Sequence, residues 1–290
     1  MNLEKIEKKI KLPKIKTAIV AQEIQNFIVD EIKNANKKGG VIGLSGGVDS
    51  TTVAYLAKAA FDDYKYKNGK KELSLCGLIM PSSTNNINDT KIGINIAKTL
   101  AIDYKVIDIS SIIESFCGLL KGIVRNNYDK GNVASEIRAI ILSRYAAALD
   151  SLILGTGNKD EDYALGYFTK RGDGQVDISP IGDLSKRHVR EIASFMNVPD
   201  NIISKAPTAG LWKNQTDEDE LGFSYLEAEI IIEAKDQGYS AKQIQDITSF
   251  GFLRNNENKN LFIVDAVLEM HKKNKFKSEM PHIAKVTKYY

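Results

Sequence analysis

A short loop rich in glycine and hydroxyl groups follows the first apolar run of the chain. It spans Ser45–Ser50, reads SGGVDS and precedes a predicted helix. The two glycines let the backbone turn tightly and approach a ligand, and the first amides of the helix favour an anion such as phosphate. Asp49 would repel a phosphate unless a cation lay between them, which points to Mg²⁺. Asp49 and Ser50 could equally well cap the helix, so the loop alone leaves two interpretations open.

A second polar stretch, residues 155–222, mixes carboxylates, lysines, glycines and hydroxyl groups too densely for a buried core. It contains the runs GTGNKDED, GYFTKRGDG and QTDEDELG. Taken singly, these runs have plain structural interpretations: a solvated acidic turn at 160–162, a hairpin turn at 172–174 and helix-start acids at 217–220. Taken together, they indicate loops that a rigid scaffold holds at a functional site.

The elements that would position these loops alternate between short apolar strands and longer helices. The apolar runs predict strands at 41–44, 74–80, 104–109 and 152–154. Helical spacing predicts helices at 15–37, 50–60, 88–100 and 133–149, and after residue 185 at 185–196, 224–237, 240–249 and 260–272. This order predicts an α/β fold with a doubly wound parallel sheet and a helical C-terminal part, in one domain over 1–290. Ligands of such sheets bind beyond the carboxyl ends of the strands, here after Leu44, Met80 and Leu154.

Composition excludes several classes of protein. With 40 Lys and Arg against 37 Asp and Glu, the net charge of +3 argues against a protein that binds nucleic acid over its whole surface. Cys76 and Cys117 stand in apolar surroundings without metal-ligand spacing, which predicts reduced core thiols and no zinc site. No apolar run is long enough for a membrane span or a secretory signal, so we expect a cytoplasmic protein. The lysine-rich segment 271–288 is expected to be a solvated tail, with anion binding as the alternative.

The loop at Ser45–Ser50 lacks the lysine of a P-loop and resembles the SGGxDS loop of the N-type ATP pyrophosphatases. The patterns GTGNKxE, GYFTKxGDG, DIxPIGDLxK and PTAGLWxxQTDEDELG resemble, in order and spacing, those of the ammonia-dependent NAD synthetase family over residues 20–285. The resemblance implies a Rossmann-like fold and a homodimer. It also implies ATP-dependent amidation of deamido-NAD⁺ by ammonia through an acyl-adenylate, with Mg²⁺. At 290 residues a fused glutaminase domain is not expected, so free ammonia is the implied nitrogen source.

The resemblance further implies roles for individual residues. ATP would be bound by Gly43, Leu44, Ser45, Gly46, Gly47, Val48, Asp49, Ser50, Met80, Thr156, Lys186 and Thr208. Deamido-NAD⁺ would be contacted by Arg138, Lys170, Asp177 and Lys277. Asp49 and Glu161 would bind Mg²⁺, and the catalytic residues would be Asp49, Asp173 and Lys186.

Two positions depart from the family's pattern. Glu136 stands where an ARxR pattern has its first arginine, which contacts deamido-NAD⁺, and Phe276 stands where an HK pair has its histidine. An acid cannot replace an arginine in binding an anion. One residue is also extra after Glu161, so Asp160 or Asp162 could share the metal role.

Because both substitutions fall on the acceptor side, two alternatives stay open. One is a pyrophosphatase that amidates a different carboxylate, and the other is a non-catalytic nucleotide-binding homologue. Arg125, Arg138 or Arg144 could also supply the lost charge. A tRNA-modifying relative is disfavoured by the near-neutral charge and the lack of a catalytic cysteine pair.

Overall fold

Four parallel strands form the centre of the computed structural model, which describes residues 3–69, 72–83, 86–208, 216–255 and 260–288. They are β1 (Gly39–Gly43), β2 (Ser74–Ile79), β3 (Asp103–Val106) and β4 (Leu152–Leu154). Their order in the sheet is β3-β2-β1-β4. The chain therefore leaves β1 in one direction toward β2 and later adds β4 on the other side. Such a change of direction opens a crevice at the carboxyl ends of the two strands, here β1 and β4.

Helices cover both faces of this sheet and form the C-terminal part, as predicted. They are α1 (Leu3–Glu7), α2 (Thr17–Asn34), α3 (Val48–Asn68), α4 (Ile87–Thr99), α5 (Ser110–Leu119), α6 (Asn127–Ala148), α7 (Lys186–Phe195), α8 (Asp200–Ile203), α9 (Asp217–Leu221), α10 (Tyr225–Asp236), α11 (Ala241–Thr248) and α12 (Ile263–Asn274). A π-helical turn spans Asp160–Leu165 and a 3-10 turn spans Lys275–Lys277. On β1, Ile42 packs in the core with α2, α3 and α7, whereas Val41 packs in the core with α5 and α6. Burial on both faces explains why β1, β2 and β4 are mainly apolar, whereas the edge strand β3 is largely exposed and carries charged residues.

Among the described helices, α5 is the longest that the sequence did not predict; the short helices α1, α8 and α9 were not predicted either. The residues of α5, SSIIESFCGL, are mostly β-branched, aromatic or small side chains of modest helix propensity, so packing against α6 sets its structure. The third strand was predicted to end at residue 109, which is wrong: β3 ends at Val106, and the chain then leads into α5. Helix α6 begins earlier than predicted, at Asn127, because the side chain of Asn126 accepts the amide of Asp129 as a cap.

A second core lies away from the sheet and includes residues from the start of the chain. Ile6 and Ile10 are almost fully buried in it, together with residues of α10 and α12. The hydroxyl of Tyr239 also donates to the carbonyl of Lys9. The segment 1–16 is therefore not a free tail, although its lysines point outward. At the other end the prediction of a solvated tail is wrong in part, because His271 is buried and Asn274, Lys277 and Glu279 are only partly exposed.

The two cysteines are both free, as predicted, but only one is a core residue. Cys76 is buried on β2, and burial raises the pKa of its thiol, whereas Cys117 lies half-buried on α5. Within the described residues, no helix combines the length and apolar character needed to cross a membrane. That residues 1–290 form one domain stays a prediction.

Candidate active site

The loop after β1 presents open backbone amides. Its chain turns at Gly46 with a φ of +78°, and a Cβ there would lie 2.6 Å from the carbonyl oxygen of Asp89. Only glycine permits both this turn and this close approach of α4. Helix α3 begins after Gly47 without a side-chain cap, so its first amides remain available to an anion. The alternative that Asp49 or Ser50 caps this helix is therefore wrong.

Lys186 lies where the loop after β1, the turn after β4 and the start of α7 meet. Its Nζ is 2.7 Å from Asp49 Oδ2 and 2.7 Å from Glu161 Oε1, and it lies 5.2 Å from the centre of the Tyr225 ring. The side chain is only 4% exposed. Burial works to lower the pKa of Lys186, but the two carboxylates outweigh it and hold that pKa above its ordinary value. The lysine is therefore a charged group at neutral pH.

Asn158 ties the two carboxylates of this centre together. Its buried side chain donates from Nδ2 to Asp49 Oδ1 at 3.1 Å, and its Oδ1 accepts the amides of Asp160 and Glu161, each at 3.1 Å. Asp160 Oδ2 in turn accepts the amide of Lys186 at 2.8 Å. A solvated acidic turn is therefore the wrong interpretation for Asp160, which is buried and fixes the start of α7.

Three consecutive acids, residues 160–162, follow Asn158 and Lys159, and burial raises the pKa of each of these acids. The pKa is about 7 for Asp160, about 7 for Glu161 and about 8 for Asp162, in each case chiefly because the carboxylate loses water. At Glu161 the charge of Lys186 opposes this rise and the charge of Asp49 adds to it. The site thus crowds more carboxylates together than one lysine neutralises.

The donor set fits a magnesium ion that arrives with a nucleotide. Among the described residues, no cluster of three His, Cys, Asp or Glu side chains is arranged around a metal position. Asp49 and Glu161 nevertheless lie together, because both contact the ammonium of Lys186, and oxygen ligands are those that Mg²⁺ prefers. The cavity beside them, of about 230 Å³, is lined by more acids than bases: Asp49, Asp89, Glu161, Asp173 and Asp217 against Lys186 and Lys205. A triphosphate would be repelled there without a divalent cation, so phosphate oxygens and water would complete the coordination.

A second cavity, of about 240 Å³, lies between the ends of β1 and β4, helix α6 and residues 167–176. Arg138 borders it from α6, donates from Nε to the carbonyl of Met80 at 3.1 Å, and has its pKa lowered by burial. Asp173 borders it from the opposite side. Its Oδ1 accepts Ser135 Oγ at 2.7 Å and the amide of Thr169 at 3.0 Å, so the carboxylate is fixed in position.

The two cavities share part of their walls. Ser45, Thr156, Tyr167 and Asp173 border both. Two ligands, one in each cavity, would therefore meet at these four side chains, which is the arrangement that a group transfer between two substrates needs.

Most of the residues predicted for ATP lie around the first cavity or beside it. Gly47, Val48, Asp49, Ser50, Thr156, Lys186 and Thr208 line it, and Gly43, Leu44 and Met80 line a neighbouring cavity of about 130 Å³ that Ser45 also borders. The middle of the last motif, residues 209–215, lies outside the described residues.

The residues predicted for the acceptor are more scattered. Asp177 accepts the amide of Ile153 at 2.7 Å and does not border the second cavity within the described chain. The ammonium groups of Lys170 and Lys277 bond backbone carbonyls on each other's segments. Ser135 and Arg138 line the second cavity, but Glu136 between them does not. The Glu136 carboxylate is therefore not part of the described cavity wall.

Three residues of the site were not singled out from the sequence. Asn158 stands inside the pattern GTGNKxE, and that pattern was the signal that could have found it. Tyr225 supports Lys186 with its ring and donates its hydroxyl to Asp217 at 3.0 Å, and burial raises its pKa. Lys205 pairs with Asp89 at 2.6 Å beside the phosphate loop, and no local pattern marks it.

Comparisons with known sequences identify the family of this chain. Residues 20–281 match the family model described as NAD synthase. An NH(3)-dependent NAD(+) synthetase from Methanocaldococcus jannaschii is 36% identical over 265 residues, which is 90% of this chain and 95% of that protein. One from Pyrococcus horikoshii is 46% identical over 202 residues, 68% of this chain and 72% of that protein.

Solved structures give the same result. An NMN synthetase from Francisella tularensis superposes with a TM-score of 0.76 at 30% identity, over 94% of this chain and all of that one. An NH3-dependent NAD synthetase from Campylobacter jejuni superposes with a TM-score of 0.73 at 26% identity and the same coverage. The α/β fold predicted from the sequence is thereby confirmed, and this chain belongs to the NAD synthase family.

Proposed function

We propose that this protein is a ligase that amidates deamido-NAD⁺ with ammonia at the expense of ATP, giving NAD⁺, AMP and diphosphate. The observation that carries the proposal is the shared wall of the two cavities. Asp173 borders both an anion site with open helix amides and the second cavity, which Arg138 also lines. The NH(3)-dependent NAD(+) synthetases among its relatives support the same reaction.

The reaction needs two displacements because a carboxylate is a poor acyl electrophile. In the first, an acceptor carboxylate oxygen attacks the α-phosphorus of ATP, the bond to the β-phosphate breaks and diphosphate leaves. In the second, ammonia attacks the acyl carbon, the carbon–oxygen bond to AMP breaks and AMP leaves. Neither step requires a covalent nucleophile of the protein, in keeping with the absence of a described cysteine from the cavity walls.

The residues of the chain then have distinct tasks. The amides at the start of α3 and the ammonium of Lys186 stabilise the charge of the departing diphosphate. Asp49 and Glu161 would hold Mg²⁺. When bound, the ion neutralises phosphate charge in the transition state. Asp173, fixed by Ser135 at the junction of the cavities, is placed to take a proton from the attacking ammonia.

The test is a complete reaction with single omissions. Purified protein with ATP, Mg²⁺, ammonium and deamido-NAD⁺ is expected to give NAD⁺ and AMP in equal amounts, measured by chromatography. Omission of any one component should stop both products. AMP formation that does not depend on deamido-NAD⁺ would contradict the assignment of the acceptor, and nucleotide binding without any turnover would favour the non-catalytic alternative.

A second acceptor is favoured by two specific observations. Glu136 replaces the arginine that the family's ARxR pattern places against deamido-NAD⁺, and an NMN synthetase is among the similar structures. The competing substrate is therefore nicotinic acid mononucleotide, which carries the same carboxylate without the adenylate half. The ratio of kcat/KM for the two acceptors decides between them, and a ratio above one for deamido-NAD⁺ supports the first proposal.

We also propose that the protein forms a homodimer through α5 and α6 and acts in the cytoplasm. Ile112, Phe116 and Leu119 form one exposed apolar stripe on α5, and Ile123 and Ile140 lie exposed on the adjoining turn and helix. Large exposed apolar patches mark protein interfaces. Helix α6 also borders the acceptor cavity, so a second copy on this face would lie beside the site.

Leu119→Asp is expected to convert this dimer into a monomer, because Leu119 is 82% exposed and would bring a charge into an apolar interface. Sedimentation velocity measures the change. Tyr66→Asp, at an exposed site on α3, is the control and should leave the dimer intact. A wild-type protein that sediments as a monomer at micromolar concentration would contradict the proposal.

A further inference from the structure

The end of the chain is bonded to the segment that leads from the metal acids to the acceptor cavity. Side chains of residues 271–278 lie within hydrogen-bond distance of a row of backbone carbonyls in residues 162–168. The contacts are His271 Nδ1 with Tyr163 and Ala164 at 3.2 and 3.0 Å, Asn274 Nδ2 with Leu165 at 2.9 Å, Lys277 Nζ with Gly166 and Phe168 at 2.8 and 2.9 Å, and Ser278 Oγ with Asp162 at 3.2 Å.

One lysine makes the same kind of contact in the opposite direction. Lys170 Nζ donates to the carbonyls of Phe276 and Glu279 at 2.5 and 2.9 Å. Lys170 also lies 5.5 Å from the centre of the Phe276 ring, and Lys277 lies 5.5 Å from the centre of the Phe168 ring. Each ammonium therefore binds two carbonyls and faces one ring of the other segment. We call this pair of lysines, Lys170 and Lys277, the reciprocal clamp.

Close packing shows that the two segments are fitted to each other. A Cβ on Gly166 would lie 2.4 Å from the Cβ of Asn274, so a larger residue would push the segments apart. Burial lowers the pKa of Lys277, and the nearby carboxylate of Asp173 acts against that change. Lys277 is thus a partly buried cation that donates hydrogen bonds to backbone carbonyls of the protein itself.

The segment that the clamp holds carries the acceptor side of the site. Residues 166–175 supply Tyr167, Phe168, Thr169 and Asp173 to the wall of the second cavity. Gly174 packs against the Phe168 ring, on which Lys277 also lies. A displacement of Phe168 would therefore be passed to Gly174 and to the neighbouring Asp173.

We propose that Lys170 and Lys277 are positioning residues that hold loop 166–175 in its binding conformation, and that Phe276 supports the clamp through its ring. This differs from a direct contact between either lysine and the acceptor. The consequence for catalysis rests on the proposed function, whereas the clamp itself is a property of the unliganded protein. The two are therefore tested by separate measurements.

The first measurement is hydrogen exchange without any ligand. Several amides of the loop are bonded within it, among them Thr169 to Asp173, and Gly172 and Gly174 to Thr169. Lys277→Met removes two charge-assisted bonds, so these amides are expected to exchange at least about tenfold faster. Lys170→Met should give a similar increase. The double variant should add less than a further twofold, because loss of either lysine already frees the loop.

Matched variants separate the clamp from general destabilisation. Lys275→Met removes an exposed lysine two residues away, whose ammonium lies 3.9 Å from Glu279 Oε1, and exchange in 166–175 should stay within about twofold of wild type. Lys277→Arg keeps a cation with several donors and should recover part of the protection. Unchanged exchange in Lys277→Met, or equal increases in Lys275→Met and Lys277→Met, would overturn the proposal.

The second measurement is kinetic. In Lys277→Met, KM for the acceptor is expected to rise at least about tenfold while KM for ATP changes less than twofold, with partial recovery in Lys277→Arg. A raised KM together with normal exchange would mean that Lys277 contacts the acceptor directly, which overturns the clamp. If the wild type amidates neither acceptor, the proposed function fails, and the exchange experiment still decides whether the clamp exists.

Discussion

Asp49→Asn is expected to lower kcat for NAD⁺ formation by at least about a thousandfold while the protein stays folded. The amide keeps an oxygen that can accept the bond from Asn158, so local packing is preserved. It removes the negative charge that faces Lys186 and that would hold Mg²⁺. The measurement is NAD⁺ formation over a range of Mg²⁺ concentrations, with thermal unfolding followed by circular dichroism.

The matched control is Asp63→Asn, on the same helix. Asp63 pairs with Lys67 at the surface of α3, far along the helix from its N-terminus, and such exposed pairs contribute little. Its turnover should stay within about twofold of wild type. If Asp49→Asn retained a tenth or more of the wild-type kcat, neither the metal role nor the catalytic role of Asp49 would stand.

The strands were predictable because their sequence pattern has a single physical cause. A strand buried on both faces must be apolar throughout, and β1, β2 and β4 are short apolar runs bounded by glycine, proline or polar residues. Helix α5 has no such clear pattern, because its residues favour a helix only when α6 covers one side. Tertiary packing, and not the periodicity of hydrophobic residues, therefore determines that these residues form a helix.

Asp49, Glu161 and Lys186 form the centre of the site, and they show a different limit of prediction from sequence. Asp49 and Lys186 are 137 positions apart, and no spacing rule brings them within 2.7 Å. They meet because β1 and β4 are neighbours and because Asp160 fixes the start of α7. The loop itself marked Asp49 as a candidate, whereas Glu161 and Lys186 were named only through a resemblance to a family, and all three roles remain predictions. Asn158, which bonds the carboxylate of Asp49 and the backbone amide of Glu161, lies within the pattern GTGNKxE but was not singled out.

The acceptor side was harder to predict because backbone atoms dominate it. Lys170 and Lys277 are long cations on polar segments, so a resemblance alone suggests that they bind an anionic substrate. Their partners in the structure are carbonyl groups, which every residue carries and which leave no mark on the sequence. The same limit applies to Glu136, whose position on α6 relative to the cavity became clear only in the structure.

Lys186→Met is expected to abolish turnover and to lower the free energy of unfolding by about 3–5 kcal/mol. The variant leaves Asp49 and Glu161 facing each other in a buried site without the cation that both now contact at 2.7 Å. Chemical unfolding followed by fluorescence and circular dichroism measures the stability. The control is Lys37→Met, because Lys37 pairs with Asp150 at the surface and should contribute less than about 1 kcal/mol.

A double variant separates the two tasks of Lys186. Lys186→Met combined with Glu161→Gln replaces one of the opposed carboxylates by a neutral group of the same shape, so at least half of the lost stability should return. Turnover should not return, because the cation that faces the departing diphosphate is still missing and Glu161→Gln also removes a proposed Mg²⁺ ligand. A double variant as unstable as Lys186→Met would show that repulsion between the acids is not the cause. A double variant that forms NAD⁺ at more than a hundredth of the wild-type rate would show that Lys186 serves the fold and not the reaction.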